Sequence, residues 1–192
     1  MTYPKVACII PARGGSKRLH RKNIREVLGK PMVQWSIEAC LKSNFLSYSS
    51  IFVSSEDEEI IQVCENLGVK IIRRPEHLSA DHVWTQDVIK HAVDSLDFRP
   101  DVVVRVQANS PQVESSKIDE CIQKLLDYKL WEVFTVNESG IEDAAIHVML
   151  GQCVSQKALS VYKGIVITDY VDIHTEEDLK AVEKIIIARR NG

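Results

Sequence analysis

Between Arg13 and Arg25 the chain places six cations, Arg13, Lys17, Arg18, Arg21, Lys22 and Arg25, in thirteen residues with no acid among them. Gly14, Gly15 and Ser16 stand inside that run. Glycine lets a backbone turn sharply and come close to a ligand, and its N–H can join cationic side chains around phosphate oxygens. The combination suits a polyphosphate, above all a nucleoside triphosphate that gives up pyrophosphate. Fixed cations stabilise the negative charge that builds on a departing phosphate group. The spacing is not G-x-x-x-x-G-K-[ST], which disfavours P-loop ATPase or kinase chemistry, and not G-x-G-x-x-G, which disfavours a dinucleotide cofactor. The competing reading is a solvated basic loop; Asn, Gly and Ser interleaved with cations directly after an apolar run argue against it.

The 192 residues carry a net charge of −3, and without these six cations the remainder would carry −9. The positive charge is therefore local, and the total argues against general affinity for nucleic acid or an anionic membrane. Length, 45% apolar residues and 27% charged residues suit one globular domain with a sizeable core. Cys8, Cys40, Cys64, Cys121 and Cys153 are scattered, odd in number and without a C-x-x-C pair. They read as reduced thiols in or near the core, so a cytoplasmic location is expected. The apolar run Val6 to Ile10 is too short for a signal peptide, and no segment approaches a membrane span.

To aim such a loop, the chain must supply a rigid frame. Short β-branched runs alternate with amphipathic stretches, the pattern of parallel strands covered by helices. Strands are expected at Val6 to Ile10, Ile51 to Ser54, Val69 to Ile72, Val102 to Val106 and Val133 to Val136. Later strands are expected at Ile146 to Leu150 and Gly164 to Thr168, with Asn137 to Ala145 as a surface excursion. Helices are expected from Lys30-Pro31 to about Lys42, from SSEDEE to Gly68, from Thr85, around Ile118 to Leu126, and over TEEDLKAVEKIIIARR. Pro31 suits a first helical position, and Thr175 with Asp178 resembles a capping box. In open parallel sheets, ligands bind beyond the carboxyl ends of the strands, which is where the cationic loop leaves the first strand.

IIPARGGSKRLHRKNI followed by LGKPMVQWSIEA resembles the opening of the acylneuraminate cytidylyltransferases (CMP-sialic acid synthetases) and, less closely, the CMP-3-deoxy-manno-octulosonate synthetases. The likeness continues in VSSEDEEI, RRPEHLSAD with DVIKHA, VRVQANSP and VDIHTEEDL, from Val6 to about Val182. It implies a Rossmann-like three-layer α/β/α nucleotidyltransferase fold with a mostly parallel central sheet, as a single domain over residues 1–192 with a shortened excursion at about 137–163. It implies transfer of CMP from CTP to the anomeric hydroxyl of a 2-keto-3-deoxy sugar acid, with release of pyrophosphate. On this likeness Arg13, Gly14, Gly15, Ser16, Lys17 and Lys22 surround the triphosphate, with Arg13 and Lys22 nearest the reacting phosphates. Asn23 and Arg74 serve ribose and base, Gln107 the acceptor sugar, and Asn109 is a further substrate-binding residue. Asp172, with His174, is expected to hold Mg2+, or Mn2+ in its place. A homodimer is the family's usual assembly.

Four features depart from that pattern. His20 stands where proline is usual. Ala108 and Asn109 match neither the Pro-Thr of the sialic acid enzymes nor the Gly-Asp of the octulosonate enzymes. His174 stands where the sialic acid enzymes carry a second aspartate, and imidazole suits Mn2+ or Zn2+ better than Mg2+. The segment that usually holds a dimerisation and sugar-binding insertion is short. Two alternatives therefore stand beside the leading one: a nucleotidyltransferase for another sugar or polyol phosphate, and a catalytically weak nucleotide-binding relative. Elsewhere the residues read as structural. The Glu56 to Glu59 cluster is a favourable first helical turn. His77, His82, His91 and His147 are surface or capping residues. Trp35, Trp84 and Trp131 are core or interface aromatics, with Trp84 in a loop that could close over a nucleotide.

Overall fold

The computed structural model describes residues 4–156, 158 and 160–191. Among these residues nine strands and five α-helices follow in order: β1 (Val6–Pro11), β2 (Glu26–Val27), β3 (Lys30–Pro31), α1 (Met32–Leu41), β4 (Ile51–Ser55), α2 (Glu58–Asn66), β5 (Lys70–Arg73) and α3 (Thr85–Asp94). The second half holds β6 (Val102–Val106), α4 (Ser115–Asp127), β7 (Glu132–Val136), β8 (Glu142–Leu150), β9 (Lys163–Ile167) and α5 (Glu176–Asn191).

The apolar runs become strands because both faces of the sheet are covered. Every residue of β4, β6 and β7 is buried, as expected of β-branched segments sandwiched between helices. Seven strands form one sheet in the order β5-β4-β1-β6-β8-β7-β9. Only β8 runs against the others: it is antiparallel to β6 and to β7, while β7 pairs in parallel with β9. Residues from α1, α2 and α4 pack with one face of the sheet, including Ile37, Cys40, Ile60, Ile118 and Leu125. Ile89 and Ala92 of α3 pack on the other face with Ile9, Phe52 and Val103. α5 lies aside, burying Leu179, Val182 and Ile186 against Leu19, Val27, Met32 and Ile173. From β1 the chain moves outward through β4 to β5, then crosses back to β6 on the other side of β1. That reversal opens a crevice at the carboxyl ends of β1 and β6.

The local signals mostly act as their chemistry dictates. Asp57 caps α2, its side chain accepting from the Glu59 and Ile60 N–H groups at 3.1 Å each. Gly68, with φ at +77°, ends the helix as a left-handed residue. Asp178 accepts from the Thr175 N–H at 2.9 Å and donates its own N–H to Thr175 Oγ1 at 3.2 Å, a reciprocal cap with aspartate in the place of glutamate. All five cysteines are buried free thiols.

Four expectations give way. Lys30-Pro31 is not helical: it pairs with β2 around a turn in which Leu28 and Gly29 have φ of +50° and +77°, and α1 starts at Met32. Two left-handed residues make the tight hairpin turn that ordinary turn types would splay. Second, the excursion ends sooner, since β8 begins at Glu142. Its polar start read as surface because Asp143 is polar, yet Asp143 accepts from Thr135 and Thr168 hydroxyls and from the Ala145 N–H, plugging a bulge where Ala144 has φ of +59°. Third, His147 is a core residue, its Nε2 3.0 Å from Oε2 of buried Glu132. Fourth, Trp84 is 76% exposed, whereas Trp35 and Trp131 are half-buried against the core.

Candidate active site

At the end of β1, the Ala12 N–H is donated to the Ser54 carbonyl and the chain turns away from the sheet. The loop that follows is held in shape from within and from outside. Asn23, buried, donates to the Arg13 carbonyl at 2.8 Å, so the start and end of the loop are tied across ten residues. Arg21 adopts a left-handed backbone with φ of +56°. Its guanidinium grips both carboxylate oxygens of Asp57, at 3.0 and 3.2 Å, and also contacts Glu59. The Gly14 N–H donates to Glu56 Oε1 at 2.8 Å. A Cβ on Gly14 would sit 2.2 Å from Asp57 Oδ2, so glycine there permits the approach of the loop to α2.

A cavity of about 280 Å3 opens beside this loop, at the carboxyl ends of β1 and β6. Nine of the residues singled out from sequence line it: Arg13, Ser16, Lys22, Asn23, Arg74, Gln107, Asn109, Asp172 and His174. Gly14, Gly15 and Lys17 lie in the same loop outside the lining, and the Gly14 N–H is already engaged by Glu56. The far wall comes from Leu78, Ala80, Asp81 and Val83 of the connection before α3.

Lys22 donates to the Ile173 carbonyl at 3.0 Å, which joins the loop to the segment before α5. Burial draws its ammonium below the usual lysine range; Asp172 opposes that pull, and Arg18 and Arg13 add to it. Arg74 is almost wholly buried and is held by Glu56 Oε2 at 3.0 Å and the Ser54 carbonyl at 3.2 Å. Its Nε has no partner among the described residues.

Each residue from Val171 to His174 is tied down in turn. Gln112 donates to the Val171 carbonyl at 2.9 Å. Asn109 Nδ2 donates to Asp172 Oδ1 at 2.6 Å, and His174 Nε2 lies 2.9 Å from Asp172 Oδ2. The Ile173 carbonyl takes Lys22, and the His174 N–H is donated to Asp178 at 2.9 Å. Among the described residues no group of three or more His, Cys, Asp or Glu side chains gathers to hold a metal ion. Among the same residues no helix is long and apolar enough to cross a membrane.

The loop's charge is less free than its sequence implies. Arg13 and Lys17 both reach Asp81, at 2.7 and 2.5 Å; Arg21 is held by Asp57 and Glu59, and Arg25 by Glu176. Sequence reasoning missed Glu56, Asp57 and Asp81 as organisers of the loop. One signal existed for the first two: they directly follow β4, which neighbours β1, so their side chains start beside the loop.

A family model described as Cytidylyltransferase matches residues 7–150 of this sequence, three quarters of the chain. The chain belongs to the cytidylyltransferase family. A pseudaminic acid cytidylyltransferase of Campylobacter jejuni subsp. jejuni serotype O:2 is 35% identical over 138 residues, 70% of this chain and 59% of that protein. An N-acylneuraminate cytidylyltransferase of Streptococcus agalactiae serotype III is 31% identical over 134 residues, 70% of this chain and 32% of that protein. The chain thus spans less than two thirds of the length of either relative. In fold, it is similar to a CMP:2-keto-3-deoxy-manno-octonic acid synthetase complexed with CTP, with a TM-score of 0.79, 16% identity, and coverage of 96% of this chain and 99% of that one. Within this chain the matched interval ends with β8, and Asp172 and His174 lie beyond it.

Proposed function

We propose that this cytidylyltransferase transfers CMP from CTP to the anomeric hydroxyl of a 2-keto-3-deoxy sugar acid and releases pyrophosphate. The observation that carries the reading is the meeting of Lys22 and Asp172, far apart in sequence, on one cavity at the carboxyl ends of β1 and β6. Arg13 and Ser16 stand on the loop side of that cavity, Gln107 and Asn109 on the β6 side. A triphosphate laid along the loop would meet Arg13, Ser16 and Lys22, with Asn23 and Arg74 toward the nucleoside. Gln107, whose carbonyl is fixed by the Ser36 hydroxyl at 2.8 Å, would orient the acceptor for in-line attack on the α-phosphate. Lys22 and Arg13 would balance the charge transferred to the departing pyrophosphate.

The donor set fits a hard divalent cation of the Mg2+ or Mn2+ kind. Asp172 offers carboxylate oxygen at the cavity wall and is 43% exposed there, and Oδ1, which accepts from Asn109, keeps a second lone pair. One carboxylate completed by substrate phosphates and water is a common arrangement for such ions. When bound, the cation would polarise the phosphoryl oxygens and make the acceptor hydroxyl easier to deprotonate. Buried free thiols suit a reducing, cytoplasmic setting.

The test is pyrophosphate release from CTP with Mg2+ and a panel of eight- and nine-carbon ulosonic acids, beside ATP, GTP and UTP as competitors. Turnover with CTP and at least one sugar acid is the expected result. CTP binding without turnover on any acceptor would overturn catalysis in favour of a nucleotide-binding relative. Preference for a sugar phosphate would move the activity to another acceptor class.

A further inference from the structure

Asp172 sits in a segment with no helix or strand of its own, yet four consecutive residues of that segment are pinned by side chains from three other places in the chain: the basic loop, the connection after β6 and the start of α5. The tightest pair of contacts falls on the carboxylate itself. Asn109 Nδ2 donates to Oδ1 at 2.6 Å and the His174 Nε2 lies 2.9 Å from Oδ2, so each oxygen has one side-chain nitrogen close against it from a different side. An amide nitrogen donates and never accepts. An imidazole nitrogen turned toward a carboxylate at 2.9 Å is directed at that carboxylate and away from the cavity's remaining donors. The His174 backbone is fixed by its N–H bond to Asp178, and Asn109 is 7% exposed at the end of β6.

We infer that Asn109 and His174 are positioning residues which clamp Asp172, leaving a one-carboxylate cation site that fills only together with the nucleotide's phosphates. The inference rests on the proposed activity for its place in turnover, but the clamp itself is a property of this chain. A single carboxylate with one oxygen bonded to Asn109 and the other crowded by His174 is a weak site alone. Phosphate oxygens must supply the remaining ligands. The clamp then works by fixing where Asp172 presents its free lone pairs. Partners of this kind typically change metal affinity or activity 10–100-fold when removed. Position 109 also lies within 3 Å of Asp172 Oδ1, so a carboxylate placed there would share a cation with Asp172.

The experiment follows free Mn2+ by electron paramagnetic resonance in the intact protein, with and without CTP, for wild type, Asn109→Ala, His174→Ala, His174→Gln and Asn109→Asp, each checked for an unchanged melting transition. Wild type alone should leave the free Mn2+ signal intact, and CTP with protein should remove more of it than CTP by itself. Asn109→Ala and His174→Ala should weaken that nucleotide-dependent uptake roughly 10–100-fold while metal-free CTP affinity stays within about twofold, and His174→Gln, which keeps a donor, should restore most of it. Asn109→Asp should take up Mn2+ with no nucleotide present. Unchanged Mn2+ uptake in both alanine variants would overturn the clamp. So would tight Mn2+ binding by wild type alone, or no gain in Asn109→Asp. The Asn109→Asp arm needs no CTP, so its outcome is separate from that of the pyrophosphate assay, which judges the activity.

Discussion

Arg13 lies 2.7 Å from Asp81, and the same carboxylate holds Lys17 at 2.5 Å. Two of the cations assigned to the triphosphate are therefore occupied by an internal anion on the opposite wall of the cavity. Phosphate must compete with Asp81 for them. Asp81→Asn should tighten CTP or pyrophosphate binding roughly two- to fivefold, the scale of exposed ion pairs. Titration calorimetry at low and high salt checks this; weaker binding in the variant would show that Asp81 instead holds Arg13 in its working position.

Lys22 predicts a pH dependence. Burial is the leading cause of its lowered pKa, so the folded protein loses this charge at a pH below the ordinary lysine value of 10.5. Pyrophosphate affinity should fall as pH rises through that lowered value, an alkaline limb that Lys22→Ala lacks. Between the folded value and 10.5 the unfolded chain binds more protons at this site, so this group's contribution to stability rises with pH there. At neutral pH, Lys22→Ala should cost about 10–100-fold in affinity, as for other charged hydrogen bonds. Binding curves for wild type and variant across the alkaline range decide it.

The two loop glycines should respond differently. A Cβ at position 14 would collide with Asp57 Oδ2, Cγ and Cβ at 2.2, 2.8 and 2.9 Å, whereas one at position 15 meets nothing within 4 Å. Gly14→Ala must push the loop off α2 and should cost about 1–3 kcal/mol of stability together with most CTP binding. Gly15→Ala should fold as wild type. Thermal unfolding with calorimetric CTP titration separates the two.

Glu56 joins the Gly14 N–H to the Arg74 guanidinium, whose side chain is 4% exposed. Glu56→Ala leaves that guanidinium buried without its counter-charge, a change that typically costs about 3–5 kcal/mol. Glu58, two residues on, pairs with Arg73 in solvent, and Glu58→Ala should leave the urea midpoint unchanged. Equal midpoints for both variants would show that Arg74 finds another partner.

The legible parts of this molecule were those encoded locally. Val102 to Val106 announces a strand buried on both faces by composition alone, and Thr175 with Asp178 announces a helix start by side-chain chemistry that needs only three residues of context. The basic loop stood out as a candidate phosphate site because its residue types are concentrated in one stretch. Its counter-charges were not, because Glu56, Asp57, Asp81 and Glu176 come to it only through the pairing of β1 with β4 and the docking of α5. His147 and Asp143 were misread for a related reason: a polar residue next to an apolar run looks like surface until its partners, Glu132, Thr135 and Thr168, arrive from other strands. The left-handed Leu28 carries no mark in its residue type.

The antiparallel β8 lies between β6 and β7, although it follows both in the chain. Synthesis on the ribosome therefore delivers β7 before the strand that joins it to the half built from β5, β4, β1 and β6. A nascent chain that has not yet released Leu150 can assemble β5, β4, β1 and β6 while β6 presents an open edge. β8 closes that edge, and its hydrogen bonds on one side to β6 and on the other to β7 join the two halves of the sheet.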